Sequence, residues 1–175
     1  MNPSTDQSII HINWAGPYTL QTVANLTEAT DFGVYQIYGP HPVYGNVQLL
    51  YIGLASEQKF GVRIPQHPWC QGTRDPSKVE VYVGRLCGVS TPNYAVWTEQ
   101  IRQAERLLIY AHYPPFNTQK EIGALEPTLR TVHVLNWFSH RDLFPEVSGA
   151  RWSNRFEDIP GYRPYDNREM PPATP

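Results

Sequence analysis

Residues 33–53 read GVYQIYGPHPVYGNVQLLYIG. Two runs of the β-branched and aromatic residues typical of strands, VYQIY and VQLLYIG, flank a stretch rich in glycine, proline and asparagine, and this pattern predicts a β-hairpin. The strands carry near-matching tripeptides, Gly33-Val34-Tyr35 at the start and Tyr51-Ile52-Gly53 at the end. Adjacent strands would hold Tyr35 and Tyr51 side by side. The intervening GPHPVYGN is interpreted as an enlarged hairpin loop.

The bulk properties predict one soluble globular domain. The chain has 175 residues, of which 41% are hydrophobic and 17% charged. It contains no apolar run of about eighteen residues, so no membrane span is expected, and the first residues lack the pattern of a signal peptide. Cys70 and Cys87 do not form a CxxC pair, which favours a reducing, cytoplasmic location. The net charge of −2 requires any nucleic-acid contacts to be local.

The remaining patterns predict an α+β fold with a small central, mainly antiparallel sheet flanked by helices. Three core strands are expected, the two of the hairpin and KVEVYVGRL, and TVHVLNWF is a candidate fourth. Upstream, IIHINW predicts a short strand and Thr19 a helix cap. Downstream of the hairpin, Ser56 is a candidate cap for a short helix limited by Pro65. A long helix runs through TPNYAVWTEQIRQAERLLIYAH until Pro114.

Glu105 stands out on that long helix. At about 100° per residue, it falls about 40° from Ile101, at the border of the apolar stripe, whereas Glu99, Arg102 and Arg106 lie on the opposite side. A carboxylate turned toward a core is costly unless it is paired or binds a cation. Two interpretations stay open: a metal ligand, or a half-exposed glutamate that pairs with a nearby arginine.

Arg63 and His67 lie four residues apart in the predicted short helix, a spacing that places both on one face. They are either site residues or part of a solvated polar face. The histidines form no HxxxH or HExxH pattern, and the sequence contains no GxxxxGK[ST], GxGxxG or GxSxG. Histidine zinc sites, P-loops, dinucleotide sites and hydrolase elbows are therefore not supported.

Taken in order, Gly-Val-Tyr, Tyr-Ile-Gly, Arg-x3-His, a glutamate on a helix and the asparagine that closes YPPFN resemble the GIY-YIG nuclease superfamily over about residues 31–120. The resemblance implies a nuclease core that hydrolyses DNA phosphodiesters with one divalent cation, Mg²⁺ or Mn²⁺. It makes Tyr35 the general base or water-positioning residue, Tyr51 the second tyrosine, and Arg63 the ligand of the scissile phosphate. His67 would assist proton transfer, Glu105 would bind the metal, and Asn117 would position its neighbours.

Elementary chemistry agrees with these roles. Mg²⁺ often takes only one or two carboxylates, so one glutamate suffices, and a guanidinium fork suits phosphate oxygens. The chain departs from the family in the length of its hairpin, since fifteen residues separate Tyr35 from Tyr51, and in having no lysine between them. The enlarged loop GPHPVYGN is either an inert lengthening or a feature that contacts DNA. The chain has eleven tyrosines and most of them are interpreted as packing residues, so Tyr38 and Tyr44 are not assigned to the site.

The flanks add weaker candidates. The expected organisation is an N-terminal extension packed on the core (1–30), the catalytic core (31–120), a C-terminal extension (121–159) and a flexible tail (160–175). This arrangement fits a small restriction-type enzyme, which could be a homodimer, better than a multidomain nuclease. Two alternatives remain: a catalytically silent nucleic-acid-binding module of the same fold, and a nuclease that acts on RNA. Surface residues that could contact DNA are Trp69, Arg74, Lys78, Arg151 and Arg155.

Overall fold

The computed structural model describes residues 8–67, 75–117 and 125–152. The strands in these ranges are β1 (Ser8–Tyr18), β2 (Gly33–His41), β3 (Gly45–Ala55), β4 (Glu80–Cys87), β5 (Val132–Phe138) and β6 (Glu146–Ser148). The helices there are α1 (Leu20–Val23), α2 (Phe60–Arg63), α3 (Tyr94–His112) and α4 (Gly149–Trp152), with short 3-10 helices at Pro76–Lys78 and Pro127–Thr131. None of these helices is long and apolar enough to cross a membrane.

All the described strands join one mixed sheet in the order β3-β2-β4-β1-β5-β6. The predicted small sheet of three core strands flanked by helices is therefore wrong, although the α+β class remains broadly compatible. The difference comes from β1, which is eleven residues long and pairs antiparallel with β4 and parallel with β5. Its partners in β5 lie more than one hundred residues away along the chain, so the pairing cannot be predicted from a local sequence pattern.

Several local predictions are confirmed. Strands β4 and β5 and helix α3 form where their patterns indicate, and Thr19 caps α1 by accepting a hydrogen bond from the Thr22 amide. Ser56 is not the cap of α2, because that helix begins after Lys59. Helix α2 also ends at Arg63, two residues before Pro65. His67 thus lies in the turns beyond the helix, and the predicted shared helical face with Arg63 is wrong.

The stretch GPHPVYGN is mostly strand rather than an enlarged loop. Gly39 pairs with Gln48 and His41 with Gly45, so the turn proper comprises only residues 42–44. The Nδ1 atom of His41 accepts hydrogen bonds from the amides of Val43 and Tyr44, each at 3.2 Å. The insertion therefore lengthens the ladder and ends in a short, ordered turn.

The two faces of the sheet have different cores. Helix α3 packs on one face, where Ile101, Ala104 and Leu108 join Val34 and Ile52 in a buried cluster. The other face carries a second buried cluster beneath α1 and α2. It contains Tyr35, Ile37, Tyr51, Ala55, Phe60 and Ile64. Successive strand residues point to opposite faces, so Tyr35 and Tyr51 both lie away from α3.

A polar network closes the α3 side. The hydroxyl of Tyr38 donates to Gln36 Oε1 at 2.7 Å, and the guanidinium of Arg141 lies 4.3 Å from the centre of the Tyr38 ring. Arg141 also pairs with Glu80 and donates to the Tyr82 hydroxyl. Burial raises the pKa of Tyr38 and of Tyr82, because the charged phenolate is poorly solvated there. These two tyrosines are protonated packing residues.

His112, at the end of α3, fixes the loop before β6. Its Nδ1 lies 2.9 Å from the Leu108 carbonyl, and its Nε2 accepts a hydrogen bond from the Phe144 amide at 2.9 Å. Both bonds fit the neutral imidazole with its proton on Nδ1. Burial lowers the pKa of His112 below the ordinary 6.5, and the bond to Leu108 opposes that effect more weakly. The folded protein therefore favours neutral His112.

This preference predicts an acid-dependent loss of stability. Because the folded-state pKa of His112 is depressed, its contribution is complete above 6.5 and is lost as the pH falls through the folded value. We expect His112→Gln to make the melting temperature fall less steeply from about pH 8 to about pH 5. Thermal unfolding across that range, compared with the wild type, measures the difference. Parallel profiles would contradict this role.

Candidate active site

Tyr35 and Tyr51 stand together on the face opposite α3. Tyr35 is opposite Gly53 in the β2–β3 ladder, and Tyr51 is opposite Ile37, so the tyrosines are diagonal neighbours on one face. Their ring centres are 6.1 Å apart at an angle of 38°. Tyr35 is fully buried and Tyr51 nearly so. The structure thus brings together the two tyrosines singled out in the sequence.

Gly53 makes this arrangement possible. A Cβ atom at position 53 would lie 2.6 Å from the Tyr35 hydroxyl and 2.6 Å from a ring carbon of Tyr51. Such distances are incompatible with packed atoms, so the Tyr35 ring lies in the space that any larger residue would fill. Gly53, the last residue of the Tyr-Ile-Gly tripeptide, therefore leaves the space that the Tyr35 ring occupies.

Gly33 plays a matching role at the other tripeptide. Its φ of +143° is unfavourable for residues with side chains, and a Cβ there would lie 2.0 Å from the Gly84 carbonyl oxygen. Strand β2 can approach β4 closely at this point because position 33 has no side chain. This close contact between β2 and β4 lies at the first residue of β2, the strand that carries Tyr35.

His67 reaches the tyrosine pair from beyond α2. Its ring centre lies 4.5 Å from that of Tyr51, with the rings inclined at 51°. The turn that carries it begins at Ile64, which is buried in the same cluster as Tyr51. The His67 amide donates to the Ile64 carbonyl at 3.1 Å. Tyr35, Tyr51 and His67 therefore form one contiguous group.

The segment before β2 holds α2 in place. The Phe60 amide donates to the Asp31 carbonyl at 2.8 Å, and the Gly61 amide donates to the Leu26 carbonyl at 2.9 Å. The Asp31 carboxylate is itself buried and accepts from Arg85 Nε at 3.2 Å. Arg63 occupies the last turn of α2, so this buried ion pair supports the backbone that presents its guanidinium.

A cavity of about 410 Å³ opens at the end of β3, lined by Arg63 and Arg102 together with Leu54, Ala55, Ser56, Glu57 and Gln58. Its lining begins at the residue after Gly53, where β3 ends. Arg63 comes from α2 and Arg102 from α3, so the cavity is where elements from the two faces of the sheet meet. Among the described residues, Arg63 has no ion-pair partner, whereas Arg102 pairs with Glu99 at 2.8 Å.

Glu105 lies one turn beyond Arg102 on α3 and is half-buried. On the helical wheel it falls about 60° from Arg102 and about 40° from the buried Ile101. It therefore lies between the flank that lines the cavity and the stripe that packs on the sheet. Within the described residues no three histidine, cysteine, aspartate or glutamate side chains gather. A cation bound here would rest on this one carboxylate, as Mg²⁺ permits.

Asn117 lies next to the site but binds backbone. Its Oδ1 accepts from the Ile52 amide at 3.1 Å, and its Nδ2 donates to the Ile52 carbonyl at 2.9 Å. The preceding Phe116 amide donates to the Leu50 carbonyl at 3.0 Å. Ile52 lies between Tyr51 and Gly53, so the segment after α3 holds the strand that carries both.

Two of the five candidate DNA contacts, Lys78 and Arg151, lie in the described residues. Trp69, Arg74 and Arg155 lie outside the described residues. Lys78 pairs with Asp75 at 3.3 Å and precedes β4 at the end that pairs with Tyr38.

Arg151 lies in α4, next to the β6 edge of the sheet, and lines a separate cavity with Phe144 and Glu146. That edge is five strand positions from β3. Arg151 is therefore several strands away from the tyrosine pair in the order of the sheet.

Arg102 lines the cavity but is not among the site residues predicted from the sequence. The wheel placed it opposite the apolar stripe with Glu99 and Arg106, which is the usual position of a solvated charge. Its spacing of three residues from Glu105 was the available signal, because residues three apart are neighbours on a helix surface. The cavity depends on the packing of α2 and α3 on opposite faces of the sheet, which no local sequence pattern specifies.

Comparison with protein-family models, with curated proteins and with solved structures gives no match.

Gly53→Ala should displace the Tyr35 ring. The added methyl has no free space, so we expect a destabilisation of about 1–3 kcal/mol from overpacking. The matched control is Gly88→Ala, whose Cβ would be 3.7 Å from its nearest neighbour. Urea unfolding of both variants measures the difference. Equal stability of the two would show that the ring is not confined by position 53.

Asn117→Ala should weaken the hold on β3. The buried Ile52 amide and carbonyl would lose their partners, and we expect a cost of about 1–3 kcal/mol. Asn13→Ala, at an exposed position in β1, is the control. The free energy of unfolding in urea tests this. A loss no larger than in the control would contradict the assignment.

Proposed function

We propose that this chain is a divalent-metal-dependent endonuclease of the GIY-YIG type that hydrolyses phosphodiester bonds in DNA. The observation that supports the proposal most is the packing of Tyr35 against Gly53, beside Tyr51 and His67, together with the cavity at the end of β3 that Arg63 lines. A proton acceptor and a phosphate ligand are the minimum for phosphodiester hydrolysis.

Tyr35 and Tyr51 serve the attacking water. A tyrosine has an ordinary pKa near 10 and accepts a proton at neutral pH only if cations nearby favour the phenolate. Arg63, in the adjoining cavity, is such a cation. Tyr35 positions the water and takes its proton, and Tyr51 orders the same water or the phosphate. His67, packed on Tyr51, orients it and shares in proton transfer.

Arg63 binds the scissile phosphate. Phosphoryl transfer concentrates negative charge on the non-bridging oxygens, and a planar guanidinium can donate two parallel hydrogen bonds to them. In the described residues no carboxylate neutralises Arg63, so its charge is available to an incoming anion. Asn117 acts indirectly, by holding the β3 backbone between Tyr51 and Gly53.

A carboxylate suits a hard cation. Glu105, beside the flank of α3 that lines the cavity, would hold Mg²⁺ or Mn²⁺ through its carboxylate oxygens. The bound cation would supply additional neutralisation of the phosphate charge. We assign DNA as the partner and the cytoplasm as the location, the latter because the two cysteines form no CxxC pair.

Cleavage of supercoiled plasmid with Mg²⁺ or Mn²⁺, and with EDTA instead, tests the proposal. We expect metal-dependent nicking and linearisation, and discrete bands if the enzyme is of the restriction type. Tyr35→Phe and Glu105→Gln should each lower the rate by about 10²–10⁴-fold. Tyr44→Phe, on the exposed hairpin turn, and Glu126→Gln, which loses only a surface ion pair, are the matched controls.

The contrary outcomes are distinct. Full activity in both site variants would show that Tyr35 and Glu105 do not have the assigned roles, although the protein would still be a nuclease. Cleavage of RNA but not DNA would change the substrate class. Binding of DNA without cleavage in any metal would identify a silent binding module.

A further inference from the structure

The cavity between α2 and α3 contains more positive charge than one phosphate ligand requires. Arg63 of α2 and Arg102 of α3 both line it, and Glu57 is the one acidic residue in the described lining. Two guanidinium groups that face the same space repel each other unless an anion lies between them. The volume of about 410 Å³ accommodates a phosphate group with its water.

Arg102 is free to bind such an anion. Its partner Glu99 lies on the same helix, and both side chains are about half exposed, at 49% and 50%. Exposed ion pairs of this kind contribute only about 0–1 kcal/mol, so a phosphate can replace the carboxylate at little cost. The planar guanidinium then offers two donors to phosphate oxygens.

The geometry points to Arg102 as a second phosphate-binding residue, which holds the backbone phosphate next to the one bound by Arg63. This inference rests on the proposed function and extends it to two consecutive phosphates of one DNA strand. The strand would run along the end of β3, with the scissile phosphate toward Tyr35 and the neighbouring phosphate toward α3. Arg102 binds and positions the strand and takes no part in proton transfer.

Arg106 provides a matched control. It lies one turn further along α3, is 45% exposed and pairs with Glu126, but it does not line the cavity. Arg102→Ala and Arg106→Ala therefore remove the same group from similar surroundings. Arg102→Lys keeps the charge and removes the fork.

The first measurement is duplex DNA binding by fluorescence anisotropy, in a Tyr35→Phe background and across a series of salt concentrations. Each phosphate contact contributes about 0.9 to the slope of log K against log salt. We expect Arg102→Ala to weaken binding about tenfold or more and to lower the slope by about one. Arg102→Lys should restore most of the slope but less of the affinity, and Arg106→Ala should behave like the parent.

The second measurement is cleavage kinetics in the otherwise wild-type protein. Arg102→Ala should raise KM by a larger factor than it lowers kcat, since it removes binding common to substrate and transition state. Arg63→Ala should mainly lower kcat. If the wild type cleaves DNA while Arg102→Ala and Arg106→Ala bind and cleave alike, the inference fails and the proposed function stands. If the wild type neither binds nor cleaves DNA, both fail.

Discussion

The Tyr35 ring occupies the space in which a side chain at position 53 would stand, and the candidate site depends on this one exclusion. It requires glycine opposite Tyr35 and fixes the register of β2 against β3, because a slip of one residue would turn every side chain to the other face. Once the register is set, Tyr51 must lie beside Tyr35, and the end of β3 must open next to them. The position of the cavity then follows from the length of the strand.

The tyrosines of β2 are divided between the two faces of the sheet and have different surroundings. Tyr35 and Tyr38 are three residues apart on β2 and therefore point in opposite directions. Tyr38 joins a network with Gln36 and Arg141 in which its hydroxyl is hydrogen-bonded and its pKa raised. Tyr35 joins Tyr51 and His67 on the other face. Residue type alone could not distinguish these environments, but strand alternation and the glycine opposite Tyr35 do.

The sequence predicted the parts of the fold that depend on local patterns. The hairpin, β4, β5 and α3 have clear periodicity, and the Thr19 cap has a local hydrogen-bonding cause. The six-stranded order was not predictable in this way, because β1 joins β4 and β5 through pairings between distant residues. The length of α2 was overestimated, so His67 reaches Tyr51 from a turn and not from a helical face.

The same distinction between local patterns and distant packing applies to the residues of the candidate site. The pairing of Tyr35 with Tyr51 followed from the hairpin, since strand neighbours can be deduced from sequence. Arg102 was missed, because its position beside Arg63 results from the packing of two helices at one end of a strand. Asn117 was expected to position its neighbours. That both ends of its amide bind the backbone of Ile52 could not be predicted, because the two residues are 65 positions apart in the chain.

The hold of Asn117 and Phe116 on β3 has a consequence for assembly. In the described part of the sheet β3 is an outer strand, and its Leu50 carbonyl and both polar groups of Ile52 are already occupied. Another strand could not add there without displacing them. The opposite outer strand, β6, has only three residues and offers a short template. If two copies associate, they should do so through side-chain surfaces and not by continuing the sheet from one molecule into the next.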